Sequence, residues 1–271
     1  MPGTLVIGYG GYGCNCARTY SERYDRPVLL MDYRSFSEED YTLNQDCMEL
    51  TEDINLNASR LRDVFSNYSQ ILLLSPLGGA SFETAHTLIS ECARTLDISV
   101  VSLCTVPYTF ESERRGKALQ TLATLPESVD NLFVIDLQRT IRDEAVTENF
   151  SEFLAGTEGK IADLVRILAE LLEKIPFFSY CSSPAYTIAV GEGAHYQDAI
   201  SDALAHTYFE VPPSCGKIIA FSDMPVSDFD RDQASTTLSA RGNAMPEHVG
   251  KSGVGEDKVL LFMPISCRRP L

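Results

Sequence analysis

The sequence predicts an α/β fold. A Rossmann-like parallel sheet covered by helices is expected over residues 1–155, a long central helix over 156–176, and a smaller α/β unit over 177–271. Three observations predict it. Continuous apolar runs alternate with helical segments through the first half, as strands buried on both faces do. One amphipathic stretch, Gly159–Ile175, then outlasts every other helical signal, and after it the strands become short and the turns frequent.

The elements follow in order. TLVIGYG reads as a strand entering a glycine-dense turn, PVLLMD as the next strand, and ASRLRDVF as a helix. QILLLSPLGG is a strand ending in glycines, followed by the helical FETAHTLISECARTL. ISVVSLCTVPY and NLFVIDL are buried strands with a helix around Lys117–Leu125 between them. In the central helix, Ile161, Leu164, Val165, Leu168, Leu171, Leu172 and Ile175 trace one apolar face, and Pro176 is the expected stop. Beyond it come the strands YTIAVG, GKIIAFSDM and KVLLFMPIS, a helix around Tyr196–Tyr208, and a surface loop at Arg241–Gly255.

Composition narrows the function. A net charge of −16 over 271 residues argues against a broad nucleic-acid face and against adsorption to anionic membranes. No apolar run approaches the roughly 18 residues a membrane span needs. Eight cysteines and four histidines show no metal-ligand spacing, and no leader precedes the first strand, so a reduced, cytoplasmic setting is expected. Cys14, near a helix start, is the one cysteine with a conceivable nucleophilic reading.

In parallel sheets, ligands sit beyond the carboxyl ends of the strands. GYGGYGCN, DYRSF, SPLGGASFET and TVPYTFESERR all follow such ends. The first satisfies Gly8-x-Gly10-x-x-Gly13, and Asp32 ends the following strand. Taken alone, that pair formally fits a NAD(P)-binding oxidoreductase, and a glycine turn that serves only tight strand–helix packing would look the same.

Together, the loops and the long helix resemble the FtsZ/tubulin superfamily, on the FtsZ side. GYGGYGCN is similar to its GxGGxGxN loop, SPLGGASFETA stands at its second glycine signature, and TVPYTFESERR resembles its TxPFxFE…R segment. The resemblance implies a GTPase-like first domain that binds GTP or GDP, with or without Mg2+. The implied contacts are Gly10, Gly11, Tyr12, Gly13, Asn15, Gly78, Gly79, Ala80 and Ser81 on the phosphate side. Glu111 would accept from ribose hydroxyls, Arg115 would reach base or phosphate, and Asp163 on the central helix would read guanine. It also implies head-to-tail assembly with itself or with another FtsZ-type protein. Two departures touch the phosphates: Phe82 is bulky where the family has glycine, and Glu83 either faces the phosphates or turns outward. A third touches chemistry, since no Asp or Glu occurs between Glu173 and Glu192, where the family carries its water-positioning acids. Glu192 is the nearest candidate, hydrolysis is expected to be weak or absent, and a nucleotide-free interaction module is the rival reading.

Overall fold

The computed structural model describes residues 3–79, 82–123, 125, 131–141, 149–174, 181, 183, 185–211, 216–240, 247–250, 252 and 254–265. Among them are β1 (Thr4–Tyr9), α1 (Gly10–Tyr24), β2 (Val28–Asp32), β3 (Gln45–Glu49), α2 (Ile54–Phe65), β4 (Gln70–Pro76), α3 (Phe82–Thr95), β5 (Ser99–Val106) and α4 (Ser112–Leu122). Next come β6 (Asn131–Asp136), α5 (Phe150–Lys174), β7 (Ala185–Glu192), α6 (Tyr196–Ala205), β8 (Ile219–Ser222), α7 (Asp228–Ser239), β9 (Glu247–Gly250) and β10 (Lys258–Pro264).

All ten strands join one sheet in the order β3-β2-β1-β4-β5-β6-β7-β10-β8-β9. Only β10 runs antiparallel to its neighbours. The sheet crosses the expected boundary between the two units without a break, through Leu132↔Ala185 and Phe133↔Tyr186. Beyond that short pairing β6 and β7 part. Tyr208 fills the gap, its carbonyl accepting from the Asp136 amide at 2.7 Å and its amide donating to the Ile188 carbonyl at 3.2 Å.

Alternate side chains of each strand feed opposite faces. On one face Val6, Leu30, Leu72, Leu103 and Phe133 pack beneath α1 and α5, and the same cluster continues through Tyr186, Ile219 and Phe262. On the other, Leu5, Ile7, Leu29 and Leu73 pack beneath α2 and α3. The stripe expected along α5 is buried from Ile161 to Leu172; Ile175 and Pro176 lie outside the described residues.

Three segments differ from expectation. Arg241–Gly255, read as loop, contributes the edge strand β9. The polar QDCME forms β3, the opposite edge, which pairs only with β2. DFDRDQASTTLS forms α7, anchored by Ala234 and Leu238 and started by a Ser227–Asp230 capping box.

Burial also sets an acid limit on the fold. His86 on α3 is 2% exposed, its Nε2 lies 2.9 Å from Ser102 Oγ, and burial pushes its imidazole down to about 4. Between pH 6.5 and about 4 the unfolded chain takes up a proton that the folded chain refuses, so stability falls as pH drops through that window, by about 3 kcal/mol in all. The gap in denaturation midpoint between pH 7.5 and 4.5 should therefore shrink in His86→Gln. An unchanged gap would refute the assignment.

Candidate functional site

β1, β4, β5 and β6 are adjacent and parallel, so their carboxyl ends open on one edge. A cleft there is lined by Tyr12, Pro76, Thr105, Pro107, Tyr108, Phe110, Glu111, Arg114, Leu137 and Leu154.

The glycines divide by what surrounds them. A Cβ on Gly8 would stand 2.5 Å from the Gly13 carbonyl oxygen, and one on Gly13 would stand 2.5 Å from that of Leu74. Both are bare so that α1 can lie close on β1 and β4. Gly10 and Gly78 hold left-handed backbone, at φ +69° and +79°. Gly11 and Gly79 have nothing within 4 Å in the Cβ direction, so their missing side chains leave open space. No side chain caps α1 and no acid stands in its first turn, which leaves its leading N–H donors to an anion.

Neither of the two departures beside this edge lines the cleft. Phe82 is 1% exposed and packs with Leu77, Cys104, Val106 and Ala118 beneath α4. Glu83 turns toward α4, accepting from Thr121 Oγ1 at 3.3 Å. Ala80 and Ser81 lie outside the described residues.

Three residues of the cleft lining, Tyr12, Thr105 and Tyr108, keep their hydroxyl oxygens buried, with Cys16 near that of Tyr12 and Thr140 and Thr157 near that of Tyr108. Tyr108 stacks on Phe110 with ring centroids 5.2 Å apart, and Phe153 lies at 5.5 Å.

The acids and Arg115 fall differently from the sequence expectation. Asn15 Nδ2 donates to Glu158 Oε1 at 3.1 Å, one turn of α1 from the open glycines. Asp163 instead accepts from Tyr24 Oη at 2.5 Å and Arg23 Nη1 at 3.0 Å, beside the last turn of α1. Gly10 and Arg23 are thirteen residues apart on that helix, about 20 Å. Asp163 and Glu192 line a separate groove with Lys160, Arg166, Asp202 and Lys258. Arg115 makes a two-pronged pair with Asp136, both bonds 2.7 Å, and also donates to the Pro107 carbonyl at 2.6 Å. It braces the loop after β5 and is not free to reach a ligand. Glu111 lines the cleft with its carboxylate held by Arg114. Gln138, after β6, accepts from the Thr109 amide and hydroxyl at 3.1 and 2.8 Å. Glu158 escaped the sequence reading; its helical spacing from the buried Ile161 and Val165 was the available signal.

Glu192 sits at the carboxyl end of β7. Because β7 runs parallel to β6, that end shares the cleft's edge. Its carboxylate accepts from Lys258 Nζ at 2.6 Å. Asp32 accepts from its own Tyr33 and Arg34 amides at 2.7 and 3.4 Å, a turn that engages the acid a dinucleotide site would need. Cys14 is buried, donates to the Gly8 and Met31 carbonyls, and burial pushes its thiol up to about 12, which removes the nucleophilic reading. Among the described residues no group of three His, Cys, Asp or Glu could hold a metal, and no helix is long and apolar enough to cross a membrane.

No family model matches the sequence. Over 115 residues the chain is 26% identical to the cell division protein FtsZ of Pseudomonas putida, a match covering 40% of this chain and 29% of that protein. The FtsZ of Pseudomonas aeruginosa matches to the same extent. The matched stretch thus spans less than a third of these curated relatives. In structure the chain superposes on a point mutant of FtsZ from M. jannaschii with a TM-score of 0.73 at 15% identity, covering 97% of this chain and 91% of that one. A CetZ from Haloferax volcanii, in a GTPγS-bound protofilament, gives 0.72 at 13% identity over 96% and 92% of the two chains. TubZ of Bacillus thuringiensis, in GDP-form protofilaments, gives 0.68 at 16% identity over 99% and 86%.

Proposed function

We propose that this chain, an FtsZ/tubulin-superfamily relative by fold, binds a guanine nucleotide in the cleft between α1 and the loop after β5, and assembles head to tail. One observation carries the reading: α1 begins with uncapped N–H donors beside Gly11, and the Cβ directions of Gly11 and Gly79 are open. Phosphates suit the open glycines, and the Asn15–Glu158 pair lies one turn of α1 further on. The nucleotide-bound protofilaments of the CetZ and TubZ neighbours support the ligand class.

The base-reading acid in this proposal is Glu158 rather than Asp163. A carboxylate can accept from both N1–H and the 2-amino group of guanine, an edge adenine lacks. Glu158→Ala should weaken GTP binding by roughly 1–3 kcal/mol and Asp163→Asn should leave it unchanged. Titration calorimetry of both variants checks the assignment, and the reverse order of effects would return the role to Asp163.

Thermal shift with saturating GTP, GDP, ATP and NAD tests the reading itself. Guanine nucleotides should raise the midpoint more than ATP or NAD. A flat response to millimolar GTP would favour the nucleotide-free interaction module, to which the internal pairing of Arg115 and Glu111 already lends some weight.

A further inference from the structure

Among the large apolar side chains that the described residues leave exposed, Phe110 is the one that lines the cleft. Its ring is 61% exposed, whereas that of Tyr108 beside it is 2% exposed. The two rings are stacked, 8° from parallel with centroids 5.2 Å apart, so Tyr108 covers one face of Phe110. Tyr108 also meets Phe153 on α5 at 5.5 Å, which ties the stack to the central helix.

The loop that carries the pair is held from several sides. Arg115 donates to the Pro107 carbonyl at 2.6 Å, and the Glu111 amide returns to the Tyr108 carbonyl at 3.0 Å. Gln138 Oε1 accepts from the amide and the hydroxyl of Thr109, at 3.1 and 2.8 Å. A flat ring fixed in this way loses little further freedom when something covers it.

The rest of the lining selects what that is. Apart from Thr105 and Glu111 and Arg114, which pair with each other, every lining side chain is apolar or aromatic. Charged phosphates are poorly served there and an uncharged planar ring is well served. At about 250 Å³ the cleft is at the small end of ligand sites. The glycine turn borders it. Tyr12 lines the cleft, and so does Pro76, whose Cγ is 3.7 Å from where a Cβ on Gly10 would stand. The Tyr12 hydroxyl is within electrostatic reach of both Tyr108 and Glu158, which puts the aromatic stack and that acid in one neighbourhood.

We infer that Phe110 is the stacking platform for the base, taking the guanine ring on its exposed face. The inference rests on the nucleotide-binding part of the proposed function and adds an affinity-determining residue to it. Stacking accepts any π face, so Phe110 supplies strength and the choice of base is left to Glu158.

The chain has no tryptophan, so Phe110→Trp places a lone fluorophore at the platform. GTP should quench its emission, and inorganic tripolyphosphate, which has the charges without the base, should not. In calorimetry on the full chain, Phe110→Ala should bind GTP about tenfold more weakly than the wild type and tripolyphosphate equally well. Wild-type GTP affinity in Phe110→Ala overturns the inference and leaves the nucleotide reading standing. Quenching by tripolyphosphate overturns it too, because the signal then reports movement of the loop. Lost pelleting in Phe110→Ala with GTP affinity intact would overturn it by making the ring a contact between copies. A wild type with no thermal response to millimolar GTP would defeat the nucleotide reading and the inference together.

Discussion

Gly11→Leu should abolish nucleotide-induced stabilisation while leaving the ligand-free protein as stable as the wild type. The Cβ direction at Gly11 is empty to 4 Å, so the new Cβ meets no protein atom nearby. A glycine in a helix is also worse than most residues by up to about 1 kcal/mol, so the ligand-free midpoint should hold or rise. The same side chain fills the space assigned to phosphate. At a hundredfold excess over Kd the wild type gains about 2.7 kcal/mol from its ligand, and the variant should gain none. Gly13→Ala is the opposing control. Its Cβ points at the Leu74 carbonyl oxygen, so α1 must lift from β4 at a cost of about 1–3 kcal/mol before any ligand is added. Scanning calorimetry of both variants, with and without GTP, separates the two kinds of glycine. Normal binding by Gly11→Leu would move the phosphates off this turn.

The strands with continuous apolar runs, the central helix and the glycine turns were legible because burial on both faces and a 3.6-residue stripe are written locally. β3 and α7 were not. An edge strand such as QDCME needs few apolar residues, and α7 is held through Ala234 and Leu238 alone. The site was half legible for a similar reason. The left-handed backbone of Gly10 and the open Cβ directions of Gly11 and Gly79 are properties of a glycine-rich turn itself. Side-chain roles depend on which element arrives opposite. Arg115 is captured by Asp136 because the β5–β6 register sets Val106 against that residue, about twenty positions away in sequence. Glu158 and Asp163 are five residues apart, about 140° around the helix after a full turn. Only the docking of α5 on α1 decides which faces the open glycines and which meets Tyr24. Phe82 and Glu83 show the converse, residues conspicuous in sequence that the start of α3 turns away from the cleft.

The last expectation concerns turnover. If copies stack head to tail, an acid that activates water in one copy's cleft has to come from the opposite edge of the next. Between Lys174 and Gly191 the sequence has no Asp or Glu, and Glu192 stands on the cleft's own edge, paired with Lys258 and with its amide donating to Asp202. At the end of α5, on the opposite edge, Glu170 is paired with Arg166 at 3.0 Å, while Glu173 is exposed beside Gly3. Without a positioned acid the loss is on the order of 10²–10⁴ in rate. Phosphate release should therefore stay slow at protein concentrations where GTP-dependent pelleting is complete, and Glu192→Ala should not change it. Release that climbs steeply with protein concentration and vanishes in Glu173→Ala would show that the end of α5 supplies the acid. The same climb lost in Glu192→Ala would mean that the stacking direction inferred from the sheet is wrong, because that residue reaches a cleft only from its own edge.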